Sequence, residues 1–263
     1  MLSEPGLMTL EPVPPPIMVG GLPIRPLTRS AWARLMVSTC LAARETPEAR
    51  SFAVFSANGQ VLALSVRDKA YRALLVQADA LDADGQPLVI VSRILLATPL
   101  PERAATTDLF HDAARAACVH GLRFYFLGAT AENIEIAVAA ISRQYPALQI
   151  AGWRNGYFHE TDEAAICAAI VAVSTDVLWV GLGVPHQEAF VVRNRERLRG
   201  VGWIKTCGGL FDYFQPTSRR APQWMQKTGI EWLFRLVREP RKYLWRYATT
   251  NGTALWLLLT RTR

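Results

Sequence analysis

Along the chain, short apolar runs alternate with longer stretches whose apolar residues fall at helical spacing. Residues 51–56, 122–127 (LRFYFL), 148–153, 176–181 and 201–206 read as strands, and 18–27 as a further strand carrying Gly20, Gly21 and Pro23. Helices are predicted from Thr28 or Ser30 through Ala42, over 68–78, from Thr106 or Thr107 to about His120, and from the Gly128-Ala129-Thr130 turn to about Gln144. Two more cover about 162–173 and a stretch whose first turn holds Gln187 and Glu188. An apolar and acidic run from Asp79 breaks at Asp84-Gly85 and gives way to a short helix with Leu88, Val91, Ile94 and Leu95 at helical spacing. That helix stops at Thr98-Pro99-Leu100-Pro101, because proline removes backbone donors and pushes the residue before it out of the α region. Strands alternating with helices in this way predict an α/β fold with a Rossmann-like, right-handed, mostly parallel sheet.

Charge divides the chain. From Arg219 onward there are eight Arg and two Lys against two Glu, a net +8, so the preceding 218 residues carry −1. The same segment holds Trp224, Trp232, Trp245, Trp256, Tyr243 and Tyr247, and aromatic rings mixed with cations suit a membrane interface or a nucleic acid. Residues 1–17 are Pro-rich, without the features of a signal peptide or an anchor, and read as a disordered leader. The expected organisation is therefore a leader (1–17), an α/β domain (18–218) and a helical, basic, aromatic C-terminal appendage (219–263). No apolar run approaches the roughly 18 residues of a spanning helix. Cys40, Cys118, Cys167 and Cys207 are scattered, which predicts reduced thiols rather than a disulfide framework or a zinc site.

Several residues carry candidate chemistry. Asp84 falls at a strand-to-helix turn, and in an α/β sheet the carboxyl ends of strands are where ligands bind, so its carboxylate is placed to act as a general base. Arg103 follows a rigid Pro-x-Pro corner, and a fixed guanidinium suits a phosphate or carboxylate; the alternative is a surface turn with a solvated Glu102–Arg103 pair. Asn58, with Gly59, offers a turn and a free amide at the end of the 51–56 strand. Gly128 and the pair Gly181 and Gly183 follow buried strands and precede helices, where backbone N–H groups can meet phosphate, although tight turns alone explain them equally. A nucleotide-dependent oxidoreductase would need a complete glycine fingerprint with an acidic residue about 20 positions on, which the sequence does not hold. A basic-tailed nucleic-acid-binding module is the other alternative, and it leaves Asp84, Arg103 and Gln187 without a task.

Taken in order, these pieces resemble the WecG/TagA/CpsF family of bacterial glycosyltransferases from about Gly20 to Tyr247. The matching motifs are Asn58, Ala78-Asp79 with Asp84-Gly85, Thr98-Pro99-Leu100-Pro101-Glu102-Arg103, Asp108-Leu109, Phe126-Leu127-Gly128-Ala129, Tyr145-Pro146, Gly156-Tyr157-Phe158, and Gly181-Leu182-Gly183 with Pro185 and Gln187-Glu188. Phe211-Asp212, Arg220-Ala221-Pro222, Glu231-Trp232-Leu233 with Arg235, Glu239-Pro240-Arg241 and Arg246-Tyr247 continue the series. The resemblance implies an inverting, metal-independent, cofactor-free transfer of a sugar from a UDP-sugar donor to a polyprenyl-diphosphate-linked sugar acceptor. The place implied is the cytoplasmic face of the bacterial inner membrane, with the protein held peripherally on an anionic surface, no nucleic acid as partner, and a homo-oligomer left open. By position, Asp84 is the general base, Asn58 and Arg103 line the same pocket, and Gln187 with Gly181 and Gly183 faces the nucleotide-sugar. Tyr157 and Asp212 become uridine contacts, and Arg235, Arg241 and Arg246 belong to an appendage that closes over the site. Ala83 and Ser56 stand where the family usually has Pro and Thr, Thr106 where it has Gly, and Pro216 in a loop that usually carries Gly. Glucose, and so an exopolysaccharide role, is the preferred donor reading, with N-acetylmannosamine open beside it. Removal of the chain from Glu231 onward is expected to leave a folded, nearly inactive core.

Overall fold

The structure is a computed structural model describing residues 13–46 and 48–263; the expected leader lies, for residues 1–12, outside the described residues. Strands β1 (Ile17–Val19) and β2 (Leu22–Ile24) form an antiparallel hairpin, not the single strand expected over 18–27. Gly20 and Gly21 turn it at φ of 60° and 83°, which glycine adopts without a Cβ penalty. Thr28 caps α1 (Arg29–Glu45) by accepting the Ala31 N–H, and β3 (Phe52–Ala57) then runs up to Asn58. Where the sequence reads only a turn, the chain enters α2 (Gly59–Arg67). Asn58 Oδ1 accepts the amides of Gln60 and Val61, so the expected free amide is half committed as a helix cap.

Asp68 caps α3 (Lys69–Leu75), which leads to β4 (Ala80–Ala83) and α4 (Gln86–Leu95). Leu88 and Val91 of α4 are buried, but Ile94 and Leu95 point to solvent, so its last turn leaves the core stripe that the spacing implied. Then α5 (Thr106–His120), β5 (Arg123–Gly128), α6 (Ala131–Gln144), β6 (Gln149–Arg154), α7 (Glu163–Ala172), β7 (Val177–Gly181), α8 (His186–Asn194) and β8 (Trp203–Thr206) follow in the predicted alternation. The chain ends in α9 (Leu210–Tyr213), α10 (Gln223–Lys227), α11 (Glu231–Arg238) and α12 (Pro240–Thr260).

The eight strands form one sheet in the order β1-β2-β4-β3-β8-β7-β5-β6, parallel at every pairing except β1 with β2. A parallel sheet covered on both faces needs strands apolar on both sides, which is why 122–127 and 177–181 read as continuous apolar runs. Alternate residues feed two cores. One joins Phe55, Leu81, Val180 and Ile204 to Phe190 of α8 and to Ala254, Leu257 and Leu258 of α12. The other joins Phe124, Phe126, Trp179 and Trp203 to Trp32 of α1 and Phe110 of α5, whose ring lies edge-on to Trp179 at 5.1 Å. The end of α12 is thus built into the α/β body, and Gly21 N–H to Arg261 O (2.9 Å) and Arg263 N–H to Met18 O (3.0 Å) tie the chain's last residues to the first hairpin. The central parallel strands β3, β4, β5, β7 and β8 present their carboxyl ends, Ala57, Ala83, Gly128, Gly181 and Thr206, along one edge of the sheet.

Candidate active site

Asp84 is the first residue past β4. Its Oδ1 accepts the N–H of Thr106, 2.9 Å away at the start of α5, and its Oδ2 accepts from Asn58 Nδ2 at 3.3 Å. Both contacts follow from local rules. The Thr106 amide belongs to a first helical turn, whose N–H groups have no partner inside the helix. Asn58 has its Oδ1 engaged in capping α2, which leaves only the NH₂ end for its neighbour. Arg103 reaches the same turn from the Pro-x-Pro corner, its Nε donating to the Asp84 carbonyl at 2.6 Å, while Ala104 N–H to Ala83 O (2.9 Å) fixes that corner on the strand end. The three residues expected to share a pocket are together.

The far side of the Arg103 guanidinium meets the C-terminal segment. Its Nη1 donates to Glu231 Oε2 at 2.8 Å, and Arg235, one turn further along α11, pairs with the other oxygen of the same carboxylate. Burial acts to raise the Glu231 carboxyl, but Arg235 and Arg103 outweigh it and hold the group down at about 2. The solvated Glu102–Arg103 pair does not form, because Glu102 turns instead to accept the Arg29 N–H at 2.7 Å.

Further along the sheet edge, a Cβ on Gly181 would stand 2.8 Å from both the Gly208 carbonyl and the Phe211 ring, so only glycine closes that turn. Gly183 adopts φ 77° beside open space. Gln187 is buried with both ends of its amide engaged: Oε1 accepts the Gly208 N–H at 3.0 Å and Nε2 donates to Glu188 at 2.8 Å. It joins the turn after β7 to the turn after β8. Burial pushes the Glu188 carboxyl up to about 7, against the hydrogen bond from Gln187.

A carboxylate aimed by two donors, arginines on its flank and glycine turns lie together along one edge of the sheet. The sequence model of the Glycosyl transferase WecG/TagA/CpsF family matches residues 17–263. The chain belongs to this family. Similar proteins include the N-acetylglucosaminyldiphosphoundecaprenol N-acetyl-beta-D-mannosaminyltransferase of Bacillus subtilis (strain 168), 31% identical over 194 residues that cover 74% of this chain and 73% of the relative. The protein of the same name from Staphylococcus aureus (strain MW2) is 28% identical over 186 residues, covering 71% and 72%.

The other residues to which the WecG/TagA/CpsF resemblance gave roles are more widely spread. Tyr157 lies in the loop after β6 with 77% of its surface exposed and its backbone N–H bonded to Asn155 Oδ1 at 3.1 Å. Asp212, in the first turn of α9, accepts from Asn133 Nδ2 at 3.0 Å, which links α9 to the first turn of α6. Arg235 joins the Asp84 turn through Glu231, whereas Arg246 stacks over Tyr243 and Tyr247 at 4.6 and 4.9 Å and Arg241 is exposed at the start of α12. Sequence reasoning missed Glu231 and the Thr106 amide as site groups. Glu231 and Arg235 are four apart, a readable helical pair; nothing local points to Arg103. Among the described residues, no helix is long and apolar enough to cross a membrane.

Proposed function

We propose that this glycosyltransferase moves a hexose, N-acetylmannosamine or glucose, from a UDP-sugar to a polyprenyl-diphosphate-linked sugar, with inversion and without a metal, during assembly of a bacterial surface polymer or exopolysaccharide. The observation that carries the reading is Asp84: its carboxylate is oriented by Thr106 and Asn58 at the sheet edge, and Arg103 bonds the same residue. In this reaction the acceptor hydroxyl attacks the anomeric carbon as a base takes its proton, the bond to the donor phosphate breaks, and UDP leaves with added negative charge. An ionised carboxylate offers about four lone-pair positions, so Asp84 can receive that proton while keeping its two aiming bonds. Arg103 and Arg235 already converge on one anion, the Glu231 carboxylate, and that convergence supports their use on the departing diphosphate.

The activities named for the relatives weigh toward N-acetylmannosamine, and glucose stays as the second donor to be tested. Peripheral attachment at the cytoplasmic membrane face is supported by α12. Its inner face is Tyr243, Thr250, Ala254, Leu257 and Leu258, all buried, while Leu244, Trp245, Leu255, Trp256 and Leu259 are exposed on the other side. Leu244 with Leu255, and Trp245 with Trp256, lie about three turns apart on that outer stripe, where Arg241 is exposed and Arg261 stands over the Trp256 ring at 5.7 Å. The deciding assay offers the purified protein a polyprenyl-diphosphate-linked N-acetylglucosamine acceptor with UDP-N-acetylmannosamine or UDP-glucose. One donor should yield a lipid-linked disaccharide; release of UDP without sugar transfer from both would overturn the reading.

A further inference from the structure

Beneath Asp84, in the middle of the sheet, the chain buries an ion pair. Asp82 of β4 and Lys205 of β8 are both fully inaccessible, and Lys205 Nζ stands 3.0 Å from Asp82 Oδ2. The two strands flank β3, where Ser56 is in register with Asp82. Lys205 Nζ also donates to Ser56 Oγ at 2.6 Å and to the Thr206 carbonyl at 2.8 Å, so all three of its N–H groups have partners. A buried pair of this kind is a weak source of stability, since desolvation of both ions offsets their attraction and well-packed apolar residues often serve as well. Its position is more informative than its energy.

An ammonium only donates, so the short contact from Lys205 makes Ser56 Oγ an acceptor and leaves the hydroxyl proton of Ser56 for Thr106 Oγ1 at 3.1 Å or, at the longer distance of 3.5 Å, for the Thr206 carbonyl. Thr106 is the residue whose backbone N–H holds Asp84 Oδ1 at 2.9 Å. One continuous chain of contacts therefore runs Lys205, Ser56, Thr106, Asp84 on the α5 side of the sheet. Asp82 lies within β4, two residues before Asp84, and Lys205 neutralises it where it would otherwise set a second bare carboxylate under the proposed base.

We infer that Lys205, through Ser56 and Thr106 and with Asp82 as its counter-ion, is a positioning residue that fixes the Asp84 carboxylate for proton removal. The inference rests on the reading of Asp84 as general base, so its test carries Asp84→Asn as a reference. Turnover, donor KM and thermal unfolding are measured for Ser56→Ala, Ser56→Thr, the double variant Asp82→Asn/Lys205→Met, and the triple variant that adds Ser56→Ala. Ser56→Ala is expected to lose about 10- to 100-fold in kcat with donor KM nearly unchanged, because misplacement of a reacting group by about 1 Å can cost about 100-fold. Ser56→Thr, which keeps the hydroxyl, should recover most of the rate. The double variant leaves no unpaired charge, and it should fold yet share the kcat loss of Ser56→Ala, with no further loss in the triple variant because the residues act in series. A folded double variant with wild-type kcat overturns the inference, as does a wild-type rate in Ser56→Ala, which decides alone if the double variant does not fold. If Asp84→Asn itself turns over normally, the assignment of the base fails; if Asp84→Asn is dead while the relay variants are fully active, only the inference fails.

Discussion

Arg103 and Glu231 lie 128 positions apart in sequence and 2.8 Å apart in space, and this contact joins the Asp84 turn to α11. Its strength depends on pH in a definite direction. The Glu231 carboxyl is held at about 2 against 4.5 in the unfolded chain, so its contribution to stability is complete above about 4.5 and is lost as pH falls toward 2. At about 1.4 kcal/mol per pKa unit, the full loss is on the order of 3 kcal/mol. Urea midpoints of the wild type should fall through that window more steeply than those of Glu231→Gln, which lacks the titrating group. Parallel curves for the two proteins would show that Glu231 does not bind its arginines in solution.

Asp84→Asn should leave the fold intact, since the amide oxygen still accepts the Thr106 N–H, but lose about 2–4 orders of magnitude in turnover if Asp84 is the base. UDP binding measured by calorimetry should be unchanged. Asp84→Ala removes the acceptor for both Thr106 and Asn58, and is expected to lower the melting temperature as well.

How much of this was readable in advance depended on whether a residue's role is local. Asp84, Asn58 and Arg103 could be singled out because a turn, a strand end and a Pro-x-Pro corner are local features. α2 was not legible: Asn58-Gly59 carries turn chemistry, and Val61 and Leu62 find their cover in α12, far along the chain. Asp82 and Lys205 were missed for a related reason, since a charge inside an apolar run reads as an interruption until its counter-ion appears two strands away. The alternation of strands and helices predicted a parallel sheet but not its order, which places β8 between β3 and β7. The two glycines of the first hairpin were visible, yet whether they interrupt a strand or reverse it depends on pairing with β4.

Gly181, the last residue of β7, and Gly183, two residues on, should differ in how much substitution costs. Gly181→Ala would push a methyl group against the Gly208 carbonyl and the Phe211 ring, and overpacking against backbone at a buried turn is expected to cost 1–3 kcal/mol or more, about that much by general experience of such insertions. Gly183→Ala meets open space and should lose only the roughly 1 kcal/mol of a left-handed backbone. Equal destabilisation of the two, read from denaturant unfolding, would mean that the Gly181–Gly208 approach is not maintained in solution.

The last helix turns one face to the core and the opposite face to solvent, so folding and the proposed membrane contact can be tested on separate faces. Removing the chain from Glu231 onward, which the sequence alone promised would leave a folded core, also strips Ala254, Leu257 and Leu258 from that core and uncovers α2, so the truncated protein is expected to unfold or aggregate. The informative changes are single-face ones. Trp245→Ser with Trp256→Ser alters side chains 79% and 53% exposed, and should leave the melting temperature within a few degrees of wild type. Binding to anionic vesicles should drop about tenfold or more, because each large apolar side chain contributes roughly 1.5–3 kcal/mol when buried in an apolar phase. Leu257→Ala, on the opposite face, should cost about 2–5 kcal/mol of stability and leave the vesicle affinity of the folded fraction unchanged. Salt should weaken wild-type binding, since each Lys or Arg near an anionic surface adds about 1 kcal/mol. If the double Trp variant sediments with vesicles as the wild type does, the outer stripe of α12 is not the membrane contact.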